Sequence, residues 1–235
     1  MILLLNATVV TLQVEVFSIL IITFALMVFF LFANKAFKTV DPYAKPKGMV
    51  LFCTILVGFF DQLTIDNMGK KAARIYAPYI GALALFMAVS NLSGLVGLAP
   101  PTANYSVTLT LALITFILIQ STVYKVGGLK QFFHRFIEPF PPFIVMNIFG
   151  TIAPLISMSL RLFGNITSGT ILMTLFYTFT GFISGLFPVI GNIDFIGITI
   201  GPLFHAYFDV FVGFIQTYIF IMLTTIFIGN ELPQD

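Results

Sequence analysis

The sequence predicts an all-α polytopic membrane protein, and three observations carry that prediction. Of its 235 residues 59% are hydrophobic and 9% charged, with a mean hydropathy of +1.05. A water-soluble domain carries about 25% charged residues. Five apolar stretches each reach the roughly 20 residues that a helix needs to cross about 30 Å of hydrocarbon. The cations also collect between those stretches: seven of the eleven Lys and Arg lie between Lys35 and Arg74, and three between Lys125 and Arg135.

Taken in order, Thr11–Phe32 is the first span, and the lack of a basic stretch or small-residue cleavage site before it reads as a retained segment rather than a signal peptide. A polar segment follows with Lys35, Lys38, Asp41, Lys45 and Lys47. Gly48–Asn67 is apolar but holds Asp61 and Asp66 and runs into Lys70, Lys71 and Arg74. It reads as an interfacial or re-entrant helix, a true crossing being the alternative. Pro78–Leu98 is the second span, broken off by Pro100-Pro101. Thr102–Tyr124 is the third, ending in a loop with Lys125, Lys130, His134 and Arg135. Phe143 to about Gly181 is the fourth; at 1.5 Å per residue it is roughly 55 Å long, which predicts strong tilt or a kink at Pro154. A loop with Gly185, Pro188, Gly191, Asn192 and Asp194 leads to the fifth, Ile198–Gly229. The reading is one membrane domain over 1–235: five crossings plus one non-crossing helix, the last two long helices forming a tilted hairpin. By the positive-inside rule the two basic loops are cytoplasmic, and the loop near Asp194, without Lys or Arg, is outside.

Arg161 is the one charge between Pro141 and about Ile193. An arginine at membrane depth is costly and usually faces a partner or a water-filled path. Gly150, Pro154, Ser157, Arg161, Gly164, Asn165 and Ser168 follow at steps a helix brings to one face. Such a small-residue stripe admits close approach of another helix. The last span has its own polar stripe of His205, Asp209, Gly213 and Gln216. In an antiparallel hairpin, Asn165, Ser168 and Thr170 lie on the outer side of Arg161, with Ser157 and Asn147 on its inner side. His205 and Asp209 precede Gln216 by up to 11 residues, nearer the outside. This is the layout of two offset half-channels kept apart by a fixed positive charge. The plainer readings are that Arg161 pairs with Asp209 to pin two helices, that the stripe is ordinary helix packing, and that His205 is an interfacial histidine.

Composition also excludes. The single Cys53 rules out an internal disulfide and a cysteine metal site. Two distant histidines argue against a zinc enzyme, and no Gly-rich phosphate loop is present, so nucleotide chemistry belongs elsewhere. No cofactor, metal or nucleic acid is expected.

Leu160-Arg161-Leu162-Phe163-Gly164-Asn165, followed by Ser168-Gly169, resembles the signature of subunit a of F-type ATP synthases. Pro101-Thr102-Ala103-Asn104 with Val107-Thr108-Leu109 resembles a second family motif, and Phe214-Ile215-Gln216 with Tyr218–Thr224 resembles its last helix. The likeness covers roughly residues 78–229. It implies a stationary ion-path subunit, without catalysis of its own, beside a rotating ring of c subunits. Residues 78–235 would form the ion-channel helices, and the b subunit of the peripheral stalk, other synthase subunits and the lipid bilayer would be its partners. It further implies that Arg161 is the essential arginine, with Gln216 its neighbour, and that the ion is H⁺ or Na⁺. Where the family commonly has an acid after the small-Gly pair this chain has Thr170, and where several members have a histidine seven residues before the glutamine it has Asp209. Asn147 stands near another usual acid. The resemblance places the chain in a bacterial cytoplasmic membrane, with the mitochondrial inner membrane as alternative. A self-contained secondary transporter with an anion at Arg161 is the rival, and the absence of a second copy of the arginine segment weighs against it.

Overall fold

The computed structural model describes residues 14–41, 45–186 and 194–233. Residues 11–13 of the predicted first span, and Pro188, Gly191 and Asn192 of the predicted outer loop, lie outside the described residues. Six α-helices follow in order: α1 (Val14–Thr39), α2 (Gly48–Leu92), α3 (Tyr105–His134), α4 (Ile144–Gly185), α5 (Phe195–His205) and α6 (Val212–Gly229). A π-helical turn, Ala206–Phe211, joins α5 to α6, so that 195–229 is one rod. Among the described residues there is no strand. Among the described residues five helical elements are long and apolar enough to cross a membrane, as the hydropathy pattern requires.

The largest difference from the sequence-based boundaries is in α2. The stretch read as a separate interfacial or re-entrant helix, 48–67, and the predicted span from Pro78 as far as Leu92 belong to one 45-residue helical element interrupted only at Gly69, and the rest of that span is a 3₁₀ turn (Ser93–Val96) and a loop. Gly69 has φ +78°, ψ 162°, a conformation that costs glycine nothing and an L-residue much. The break folds the element on itself. Leu63 shares a buried cluster with Ile80 and Ala84, and a Cβ at Gly81 would lie 3.5 Å from Phe60. In a straight helix residues 60 and 81 would be about 31 Å apart. In the basic stretch between the two arms Met68, Ala73 and Ala77 are buried. Thr102, placed in the third span from sequence, instead lies in a 3₁₀ turn (Pro101–Ala103) ahead of α3.

α4 runs 42 residues with helical backbone through Pro154, about 63 Å of helix. Six of its seven buried positions, Met158, Leu162, Gly169, Met173, Thr180 and Ser184, recur at steps of four and seven, one stripe along the rod. Met158 and Leu162 pack with Leu83 and Met87 of α2, Ala112 of α3 and Phe220 of α6. Four helices thus share the core that fixes the middle of α4. At one end of the bundle Tyr76 bonds Thr122 (2.7 Å), Arg135 pairs with Glu231 (3.6 Å), and Gly229 lies against the Asn67 carbonyl. Arg74, Lys125 and Arg135 therefore gather with the C-terminal end of α6, and the end of α4 and the start of α5 lie at the other end.

Candidate functional site

Leu162 is fully buried in that shared core, and the neighbouring Arg161 is exposed. Its guanidinium donates to Ser157 Oγ, one turn earlier, at 3.5 Å. Among the described residues no carboxylate lies within ion-pair distance of it, so the alternative reading of a structural pair with Asp209 is not what forms. Gly150, Ser157, Gly164, Asn165 and Ser168 are exposed along the same side, and among the described residues nothing beyond the local helix backbone lies within 4 Å of a Cβ built at Gly150 or Gly164. The small-residue stripe is thus largely exposed, Asn165 being the member that bonds the last rod.

One turn beyond Arg161, α4 meets the last rod. Asn165 Nδ2 donates to Oε1 of Gln216, whose side chain is 2% exposed. The pair borders a narrow cleft of about 40 Å³, lined also by Asn91, Thr170, Phe208, Asp209 and Gly213. That is room for one to a few waters, and the polar lining offers them partners. Asn91 ties the cleft's floor together. Its Nδ2 donates to the Gly213 carbonyl (3.1 Å) and Thr217 Oγ1 (3.0 Å), and its Oδ1 accepts from Thr102 Oγ1 (2.9 Å).

Towards the α4–α5 connection the polar line continues. Asp209 lies in the π turn, with Oδ2 2.6 Å from His205 Nδ1; His205 Nε2 is 3.1 Å from the Tyr177 hydroxyl on α4. At the mouth, Asp194 caps α5 by accepting from Gly197 N–H (2.9 Å) and also accepts from Thr180 (2.7 Å) and Ser184 (3.1 Å). The Thr180 bond chiefly, with those from Gly197 and Ser184, holds its carboxyl below the ordinary carboxylate range against the opposing effect of burial.

The arrangement so far is a long helix with one exposed arginine, crossed by a second that carries a buried glutamine and an acid. The sequence profile of the ATP synthase A chain matches residues 2–229, nearly the whole chain. The chain belongs to the ATP synthase A chain family. It is similar to ATP synthase subunit a of Mycoplasma pneumoniae, with 34% identity over 231 residues, 89% of this chain and 76% of that protein. It is also similar to subunit a of Geobacter sulfurreducens, with 32% identity over 222 residues, 91% and 85% of the two chains. Membership in this family of membrane-sector subunits agrees with the five apolar helical elements.

Within this ATP synthase A chain relative, the structure brings Asn165, Thr170, Asp209 and Gln216 of the sequence-derived set to one cleft, with His205 bonded to Asp209 just beside it. Arg161 and Ser157 sit on the adjacent exposed face, as does Ser168, whose hydroxyl donates to its own helix at Asn165 O (3.1 Å). Asn147 stands apart: its amide donates to the carbonyls of Phe136 (3.0 Å) and Glu138 (2.6 Å), closing the α3–α4 connection. Two residues went unassigned from sequence. Asn91 carried a signal, an amide inside an apolar span; Tyr177 carried none, being one tyrosine of eight.

Proposed function

We propose that this subunit is the stationary ion path of an F-type ATP synthase membrane sector, working against a rotating ring of c subunits and held by a b-subunit stalk. One observation carries the reading: the exposed, unpaired Arg161 stands on a free small-residue face, one helical turn from a polar cleft that contains Asp209. An H⁺ enters from the outer side by Asp209 and neutralises a carboxylate on a ring subunit. The neutral form crosses lipid without the burial cost of the charged one. After nearly a full turn it meets the inner path, beside Ser157, and releases its ion. Arg161 attracts the ionised carboxylate and bars direct passage between the two paths. The end that gathers Arg74, Lys125 and Arg135 faces the cytoplasm, on the positive-inside argument.

The test is Arg161→Ala in the complete complex, reconstituted into vesicles. Ion-driven ATP synthesis is abolished with normal assembly. Arg161→Lys is nearly as damaging, because an ammonium lacks the planar fork and weaker hydration of guanidinium. Normal coupled synthesis in the alanine variant would reject the reading.

A further inference from the structure

We propose that Tyr177 is a further positioning residue of the outer path, which holds His205 on Asp209 and links its other ring nitrogen to outside water. This rests on the function just proposed. Both nitrogens of His205 are engaged, on opposite edges of the ring: Nδ1 by Asp209 at 2.6 Å and Nε2 by the Tyr177 hydroxyl at 3.1 Å. The tyrosine comes from α4 and the other two from the last rod, so the line crosses the interface between the helices. Tyr177 lies 16 residues after Arg161, about 24 Å along α4 towards the α4–α5 connection.

The phenol has a built seat. A Cβ at Gly201 would collide with the Tyr177 oxygen and lie 3.1 Å from its Cζ, so the ring rests on bare backbone there. Phe176 and Phe204 flank the contact with centroids 4.7 Å apart, and the Tyr177 and His205 rings themselves lie 6.0 Å apart. The line opens at the surface of the chain: Tyr177 is 39% exposed and the side chains of His205 and Asp209 41% and 28%. The groups that face His205 are Tyr177 from α4 and Asp209 from its own rod; Asp194 is occupied at the mouth by Thr180, Ser184 and Gly197.

With Asp209 ionised, His205 Nδ1–H donates to it, and Nε2 is left to accept from the Tyr177 hydroxyl. A hydronium outside gives its proton to the Tyr177 oxygen as the phenol's own proton passes to Nε2. The products are water, a neutral phenol and an imidazolium facing the Asp209 carboxylate. The Nδ1 proton then moves to Asp209, which becomes neutral and opens on the cleft, and water there relays the Nε2 proton to Nδ1 to restore the first tautomer. Without the hydroxyl, Nε2 loses its fixed outer partner and the ring its orientation.

Tyr177→Phe keeps the ring and removes only the oxygen. In the complete complex in vesicles, ATP synthesis driven by an imposed gradient is measured while the pH of the outer compartment is varied. Normal complex yield, a rate lowered about tenfold and an outside-pH optimum moved by about one unit are expected, the equivalents of one lost hydrogen bond. Gly201→Ala, which displaces the phenol without removing it, shows the same shift, and adding Tyr177→Phe to it costs nothing further. A wild-type rate and pH profile in Tyr177→Phe, or a lower yield with an unchanged profile, overturns the inference. Asp209→Asn separates the two claims: if it too supports wild-type synthesis, the outer-path reading itself fails, whereas slow synthesis there with normal Tyr177→Phe removes Tyr177 alone.

Discussion

Asn91→Leu is the substitution whose effect the structure defines most closely. Asn91 is 6% exposed and makes three hydrogen bonds that join α2, α6 and the turn before α3. Leucine has the same number of side-chain heavy atoms with the same branching, so the main change is in polarity. Two of the three partners are provided for in its absence, because Thr217 Oγ1 also donates to the Gly213 carbonyl at 2.9 Å. The third, the wholly buried Thr102 hydroxyl, loses its acceptor. Hydrogen bonds between membrane helices average about 0.6 kcal/mol, and an orphaned buried hydroxyl adds about 1 kcal/mol. The sum is about 2–3 kcal/mol. For a chain of this size that is about 5–10 °C in midpoint temperature, read by thermal release of this subunit from the purified complex. Asn91→Leu/Thr102→Val regains about 1 kcal/mol by removing the orphan. A single-variant shift below about 2 °C, or a double variant less stable than the single one, would refute the reasoning.

Three further outcomes follow from other parts of the molecule. Gly229→Ala sets a methyl against the Asn67 backbone carbonyl, which cannot swing aside; a loss of about 1–3 kcal/mol is expected by the same thermal assay, and an unchanged midpoint contradicts the close packing of α6 on the α2 turn. Asp194→Asn concerns pH: a carboxyl held low in the fold stabilises it above the unfolded value near 3.9, and that part is lost as pH falls through the folded one. The wild type therefore loses stability more steeply than the asparagine variant below about pH 4, and parallel pH curves count against the Thr180–Ser184–Asp194 clip. Asp209→Asn slows pumping at normal yield, and adding Thr170→Glu, which returns an acid to the same cleft, restores part of the rate; no recovery argues that the two positions do not share a path.

Helix number and the polar faces were legible because they depend on period and composition. The stripe through Ser157, Arg161 and Asn165 needs only 3.6 residues per turn, and the structure leaves it exposed as that pattern implies. The pairing of Asn165 with Gln216 was within reach once the helices were taken as antiparallel. The fold-back at Gly69 was not, since one glycine among eighteen gives no sign that its φ is positive. Nor was the π turn around Asp209, because no residue pattern along Ala206–Phe211 marks it. Asn147 misled for a related reason: its type suited a polar path, but the nearest unsatisfied groups were the loop carbonyls of Phe136 and Glu138. Tyr177 acquires meaning only from what stands opposite it, and no pattern along one helix contains that.

The bare face of α4 bears on how such a subunit is made and retained in a cell. A newly inserted copy without partners presents Arg161 to lipid, at a cost of about 2.5 kcal/mol or more, and the surrounding bilayer must thin or admit water to reach it. Contact with a carboxylate on a neighbouring protein relieves that defect; contact with an apolar helix does not. The same guanidinium that would separate the two ion paths therefore also acts as a proofreading mark, making the orphan subunit a poorly tolerated guest of the membrane and its union with an acidic partner the state that persists.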